Sequence, residues 1–147
     1  MKVIHLSNSD ISGGAAIAAY RIHKSLLRRK LNSRMWVNTA KSGDWTVSEP
    51  KGKLRKGSAQ VRRHLITPFL RFMRTKNKIL HSPAILPSSW SKHINKNNAN
   101  IVNLHWVGAE MASISDIGRI KKPAIWTLHD MWAFCGAEHI SWDQRWR

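Results

Sequence analysis

Lys2-Val3-Ile4-His5-Leu6-Ser7, the polar turn from Asn8 to Gly13-Gly14, and then Ala15, Ala18, Ala19, Ile22 and Leu26 at helical spacing form the stretch that decides the fold. The first segment is a short apolar run bounded by a turn, the mark of a buried strand. The alanines, Ile22 and Leu26 share one face of a helix, with Arg21, Lys24 and Arg28 opposite, which is the pattern of a helix laid on a sheet. Ser33 to Asn38, containing Met35-Trp36-Val37, reads as a second strand. Strand, helix and strand within about 40 residues make a βαβ unit of the length that a parallel crossover needs. The expected class is therefore α/β, a Rossmann-like parallel sheet flanked by helices.

After the second strand, Ser42 to Ser58 is polar and rich in Gly, Lys and Ser, and reads as an extended loop. Between Ala59 and Thr75, Val61, Leu65, Ile66, Phe69, Phe72 and Met73 mark the apolar arc of a helix, while Arg63, Arg71 and Arg74 lie mainly opposite. Arg62 breaks that pattern, and Pro68 is expected to kink or divide the helix. His81 to Ser89, with Pro83 and Pro87, is a second irregular connection. Ile101 to Val107 and Ala124 to Leu128 read as strands, with Ile114 to Ile120 as a short helix between them. As parallel neighbours, the strands would bring Ser7, His105 and His129-Asp130 to one edge of the sheet. Open α/β sheets present groups to ligands at that edge.

The 147 residues fit one domain, and the net charge of +17 is the strongest signal in the composition. Its distribution is uneven: no acidic residue falls between Pro50 and Ala109, where Lys51, Lys53, Arg55, Lys56, Arg62 and Arg63 open a long run of cations. Such a field attracts phosphate-bearing partners, whether nucleic acid, anionic lipid headgroups or a pyrophosphate-linked substrate. The basic amphipathic segment suits a membrane interface, with packing on its own domain as the plainer alternative. No apolar run reaches the ~20 residues of a membrane span, and the N-terminus lacks a signal-peptide core of ~7–15 apolar residues. The single cysteine, Cys135, has no intrachain partner. These features set a cytoplasmic expectation.

Several residues are candidates for chemistry. Gly13 and Gly14 would let backbone amides at a helix N-terminus approach an anion, or would serve only as a tight turn. His129 can donate a hydrogen bond or act as acid or base near neutral pH, against the alternative of a satisfied structural histidine. His105 would stand beside it, and Asp130 would support the same edge or cap the turn after its strand. Cys135 and His139 with His129 fall short of the four ligands of a zinc site, so no metal is expected. The 8 tryptophans offer platforms for sugar faces as well as core packing. There is no Gly-x-Ser-x-Gly elbow and no carboxylate pair spaced for glycoside hydrolysis.

His5-Leu6-Ser7 with Asp10 and Gly13-Gly14-Ala15-Ala16, Ala19-Tyr20-Arg21-Ile22-His23, Val102-Asn103-Leu104-His105-Trp106-Val107, and Trp126-Thr127-Leu128-His129-Asp130-Met131-Trp132-Ala133-Phe134 occur in that order. Together they resemble the N-terminal domain of bacterial family 4 glycosyltransferases, above all those of colanic-acid and related surface-polysaccharide synthesis. The resemblance covers residues 1–147 as one domain, with a basic helical insertion at about 51–80 that matches little. It implies the N-terminal half of a GT-B fold and retaining transfer of a sugar from a nucleotide sugar to a growing polysaccharide or lipid-linked acceptor, with no cofactor and no obligatory metal.

By this likeness Gly13 and Gly14 line the cleft near the donor phosphates, His129 meets the transferred sugar, and His105 and Asp130 support the wall. The family's donor-binding domain would follow His129 at a distance, so the chain alone is expected to lack the nucleotide-sugar domain and to be inactive without a separately supplied partner. Gly136-Ala137-Glu138-His139 departs from the Gly-Gly-Cys-His form common in relatives. The expected place is the cytoplasm, including the inner face of the membrane through residues 51–80. A noncatalytic glycan or lipid-phosphate module is one alternative. A nucleic-acid binder is another, although phosphate contacts of that kind are steeply salt-dependent and would leave the strand-end motifs unexplained.

Overall fold

A computed structural model describes residues 1–49, 61–62, 64–70 and 77–141. Its centre is a 5-stranded, all-parallel sheet. In chain order the elements are β1 (Lys2–Ser9), α1 (Gly14–Arg28), β2 (Asn32–Thr39), β3 (Val47–Ser48), α2 (Trp90–Lys96), β4 (Ile101–Leu104), α3 (Ile114–Gly118) and β5 (Ala124–Trp126). The spatial order is β3-β2-β1-β4-β5, the strand order of a doubly wound α/β sheet.

β1 is central and buried on both faces. Leu6 joins Val102, Leu104, Trp90 and Ile94 in the larger core, beneath α2 and the partly buried Ile117 of α3. On the opposite face Met35 and Val37 of β2 pack with Val47 and with Ala19 of α1. Side chains two apart on a strand share a face. His5 and Ser7 therefore lie on the α1 side of β1, while Ile4 and Leu6 lie on the other.

The βαβ unit has the expected order, but the contact stripe of α1 is turned relative to the expected one. Its buried residues are Ala16, Ala19 and His23, while Ala15, Ala18, Ile22 and Leu26 are only half-buried. His23 is accommodated because both ring nitrogens are paired, Nδ1 with Ser33 Oγ at 2.7 Å and Nε2 with Thr46 Oγ1 at 2.8 Å. The helix stops at Lys30, whose φ of 59° puts it in the left-handed region. There the Leu31 amide donates to the Leu26 carbonyl and the Lys30 amide to Leu27, a Schellman closure.

Other elements differ from expectation. The presumed loop after residue 42 contains the two-residue strand β3, fixed by Met35↔Val47 pairing and by Asp44, which accepts from Tyr20, Lys24 and Thr46. Pro68 lies inside the continuous helical run 64–70 and does not divide it. Of the expected apolar arc only Ile66 is buried; Val61, Leu65 and Phe69 are exposed, and Phe72 and Met73 lie outside the described residues. Arg62 interrupts the arc because it turns inward, donating from Nε to the Glu110 carbonyl at 3.1 Å. The Glu110 carboxylate in turn accepts the Ala84 and Leu86 amides, at 2.7 and 3.1 Å, and ties the irregular connection to the sheet. No helix among the described residues is long and apolar enough to cross a membrane.

Candidate functional site

The chain leaves β1 through α1 on one face and reaches β4 beneath helices on the other. The two connections diverge at the carboxyl ends of β1 and β4, and such a divergence opens a crevice. The Asn8 amide donates to the Trp106 carbonyl at 2.9 Å and holds the two strand ends side by side. Above them is a cavity of about 360 Å³, with Ser7 and Ser9 from β1, Gly13 and Gly14 at the start of α1, Lys41 after β2, and Trp106 after β4.

The N-terminus of α1 is bare. Gly13, the N-cap, has φ 92° and ψ 164° and gives no side-chain cap, and the first turn holds no acidic residue. Positive φ explains glycine at 13. Gly14 has no such reason, since a Cβ built there meets no atom within 4 Å. A glycine in a helix costs up to about 1 kcal/mol relative to alanine, so Gly14 keeps the backbone of the cleft wall uncovered at a cost in helix stability. The amides of Gly14, Ala15 and Ala16 are the orphan donors of the first turn. With the positive end of the helix dipole and the exposed Lys41, they form an anion-ready wall. Ser7 adds a hydroxyl that is 1% exposed and has no hydrogen-bond partner among the described residues.

Asp10 does not oppose this wall as a free charge. Burial disfavours its ionisation, but hydrogen bonds from Ser42 and from the Lys41 amide outweigh burial and hold its carboxyl below the usual range. Its oxygens also accept the Ile11 amide, so the carboxylate braces the loops behind the glycines.

A file of histidines crosses the sheet diagonally. His5 Nδ1 meets His105 Nε2 at 2.9 Å, and His105 Nδ1 meets His129 Nε2 at 3.1 Å. Ring centroids 5.2 and 5.3 Å apart with interplanar angles of 26° and 29° describe rings meeting edge to edge along hydrogen bonds, not face-to-face stacks. Register explains the diagonal. His5 is level with Asn103, and His105 lies two residues farther along β4; Leu104 is level with Trp126, which puts His129 farther still toward the carboxyl edge.

His105 is 1% exposed and His129 is half-buried, and neither lines the cavity. Burial, with His23 nearby, pushes His5 down to about 4, and burial with neighbouring His5 and His129 pushes His105 to about 3. Burial also lowers His129, partly countered by Asp130. His23, its ring 5.7 Å from that of His5, is likewise held near 4 by burial.

Asp130 serves as a brace. One oxygen accepts the Trp132 amide, the turn-capping role, and the other accepts the Trp106 indole N–H at 2.8 Å and meets His139 Nδ1. His139 Nε2 is 2.7 Å from Ser82 Oγ, which completes a Ser-His-Asp constellation. Ser82 is 1% exposed, and its Oγ also accepts the Ala109 amide at 2.8 Å. A Cβ on Gly108 would stand 2.8 Å from His139 Cε1. A hydroxyl sealed in this way is not presented to a substrate, so the constellation clasps three loops together. Both nitrogens of His139 are thereby engaged, and no group of three or more His, Cys, Asp or Glu side chains among the described residues is placed to hold a metal ion.

Gly13 and Gly14 thus line the cleft, whereas His105, His129 and Asp130 form the adjoining edge. Sequence reading placed Ser7 at this edge without its burial, and it did not single out His5, His23 or Lys41 as site residues. The period-two spacing of His5 with Ser7, Asn103 with His105, and Thr127 with His129 carried the signal that these share one face.

The buried imidazoles set an acid response. In an unfolded chain each titrates near ~6.5. The unfolded state therefore binds protons that the folded state refuses, and stability falls as pH drops from about 6.5 toward 4. The unfolding free energy from urea titrations should be level between pH 8 and 7, then fall on the order of 2 kcal/mol per buried imidazole by pH 5. Equal stability at pH 7 and pH 5 would contradict the burial of these rings in neutral form. The carboxylates held low lose their contribution only below about pH 4, which separates the two effects. No family model, no curated protein and no solved structure matches this chain.

Proposed function

We propose that this chain is the N-terminal, acceptor-side domain of a retaining glycosyltransferase of the GT-B kind, acting with a nucleotide-sugar domain to extend a surface polysaccharide or lipid-linked acceptor. The observation that carries the reading is the uncapped α1 N-terminus at the β1/β4 divergence, with Gly14 bare for no packing reason and the buried Ser7 hydroxyl beneath it. In this reading the first-turn amides and Lys41 receive the phosphate oxygens of the donor. Negative charge grows on those oxygens as the bond to the sugar breaks, and fixed amide dipoles stabilise such charge without reorganising. Trp106 gives the opposite wall a broad face for a sugar ring. His129, on the adjoining edge, is the candidate for contact with the transferred sugar.

Gly14→Ala separates ligand binding from folding. It should raise thermal stability by up to about 1 kcal/mol, because alanine is the better helix former. In calorimetric titrations with inorganic pyrophosphate and with nucleoside-diphosphate sugars, the same substitution should weaken binding at least several-fold, and Lys41→Ala should do likewise. Binding unaffected by either change, or no binding by the parent chain, would sink the assignment of this cleft.

An anionic membrane surface is the second partner in the proposal. It is supported by the exposed Val61, Leu65 and Phe69, spaced one helical turn apart within a region whose charged residues are all cations. The chain should co-sediment with phosphatidylglycerol vesicles and not with phosphatidylcholine vesicles, and Leu65→Ser should reduce the bound fraction. Equal sedimentation with both lipids would remove the electrostatic component of this reading.

A further inference from the structure

The histidine file has a direction, and the direction decides what His129 can do. A neutral imidazole carries one N–H and one bare nitrogen, so each ring in a file donates on one side and accepts on the other. Two senses satisfy both N···N contacts. In the first, His5 Nδ1–H donates to His105 Nε2, His105 Nδ1–H donates to His129 Nε2, and His129 turns Nδ1–H outward. In the second every proton sits on Nε2, and His129 turns a bare Nδ1 outward.

The two senses differ at the buried end. His5 is 0% exposed, and its Nε2 has no hydrogen-bond partner among the described residues. The nearest ring, His23, has both nitrogens committed to Ser33 and Thr46. The second sense would strand an N–H donor at that point, whereas the first leaves only a bare nitrogen. Orphaned N–H groups are rarer in protein interiors than under-satisfied acceptors, and an unmade donor bond costs about 1–3 kcal/mol.

We propose that His5 is a positioning residue that acts through His105 to hold His129 in the Nδ1–H form, so that His129 offers a neutral hydrogen-bond donor and not a base. Reversal to the other sense would need one proton delivered to His5 Nε2 for each proton released from His129 Nδ1. Among the described residues no donor reaches that buried nitrogen, so the file keeps the first sense. An oxygen acceptor, such as a sugar hydroxyl or phosphate oxygen, is the ligand chemistry that an outward N–H fits. That use of His129 rests on the transfer reading above, whereas the sense of the file stands or falls without it.

Nitrogen-15 NMR of the imidazoles at pH 7.5 reads both the tautomers and the couplings across N–H···N bonds. The expected spectrum has His5, His105 and His129 each as a single Nδ1–H tautomer, opposite to the Nε2–H form that free histidine favours, with couplings from His5 to His105 and from His105 to His129. His5→Phe removes the donor and should return His129 to a mixture dominated by Nε2–H. His5→Gln, whose amide can donate to His105, should restore the Nδ1–H form. An Nε2–H or averaged His129 in the parent chain overturns the proposal even where the variants fail to fold, and so does an unchanged His129 tautomer in His5→Phe. Neither outcome depends on pyrophosphate binding, so failure here and failure of the cleft assignment are distinguishable.

Discussion

β1 is hydrogen-bonded along both edges and covered on both faces, and the rest of the molecule is positioned by that arrangement. A strand so enclosed must pair every backbone group within the sheet, which pins its register to β2 and β4 at once. Where β1 leaves the sheet its neighbours diverge, and the crevice forms there. The same register carries His5 into line with His105 and His129 across the adjacent strands. Cleft and histidine file are therefore two consequences of one buried strand, at its end and across its middle.

The charge of the molecule follows from how its few acids are used. Every acidic residue described is spent on holding segments together. Asp10 gathers the Ile11, Lys41 and Ser42 amides; Asp44 joins α1 to β3; Glu49 accepts from the Ala40 amide. Glu110 and Asp116 accept amides of the connection before α2, Asp130 braces Trp106 and His139, and Glu138 accepts from Asn77. Carboxylates that satisfy several donors at once, as those of Asp10, Asp44, Glu110 and Asp116 do, contribute more to folding than scattered surface ion pairs would. The chain as a whole carries a net charge of +17.

Much of this was legible in the sequence, because local pattern and tertiary context agree in the first forty or so residues. The βαβ unit, the strands at 101 and 124, and the Gly13-Gly14 turn follow from periodicity and turn chemistry. α2 escaped notice because Trp90–Lys96 is mostly polar and is held by Trp90 and Ile94 in the core. β3 is too short to have a period and exists because Asp44 and β2 fix it. His23 does not read as a core residue, since its burial depends on Ser33 and Thr46, which are distant along the chain. The histidine file was hidden for the same reason: His5 lies within β1 while His105 and His129 follow β4 and β5, and only register brings them into contact. His105 and Asp130, expected as supports of the cleft wall, are respectively a link in that file and a brace for Trp106.

The central claim is that the crevice at the end of β1 receives an anion on bare helix amides, and its location can be read residue by residue. Amide chemical shifts should be followed while a nucleoside-diphosphate sugar is titrated into the chain. The account predicts that the largest movements fall on Gly14, Ala15 and Ala16, with smaller ones at Ser7 and Lys41. Shifts confined to the basic segment around residues 51–80, with the α1 amides unmoved, would contradict it and return the positive charge to a nonspecific role.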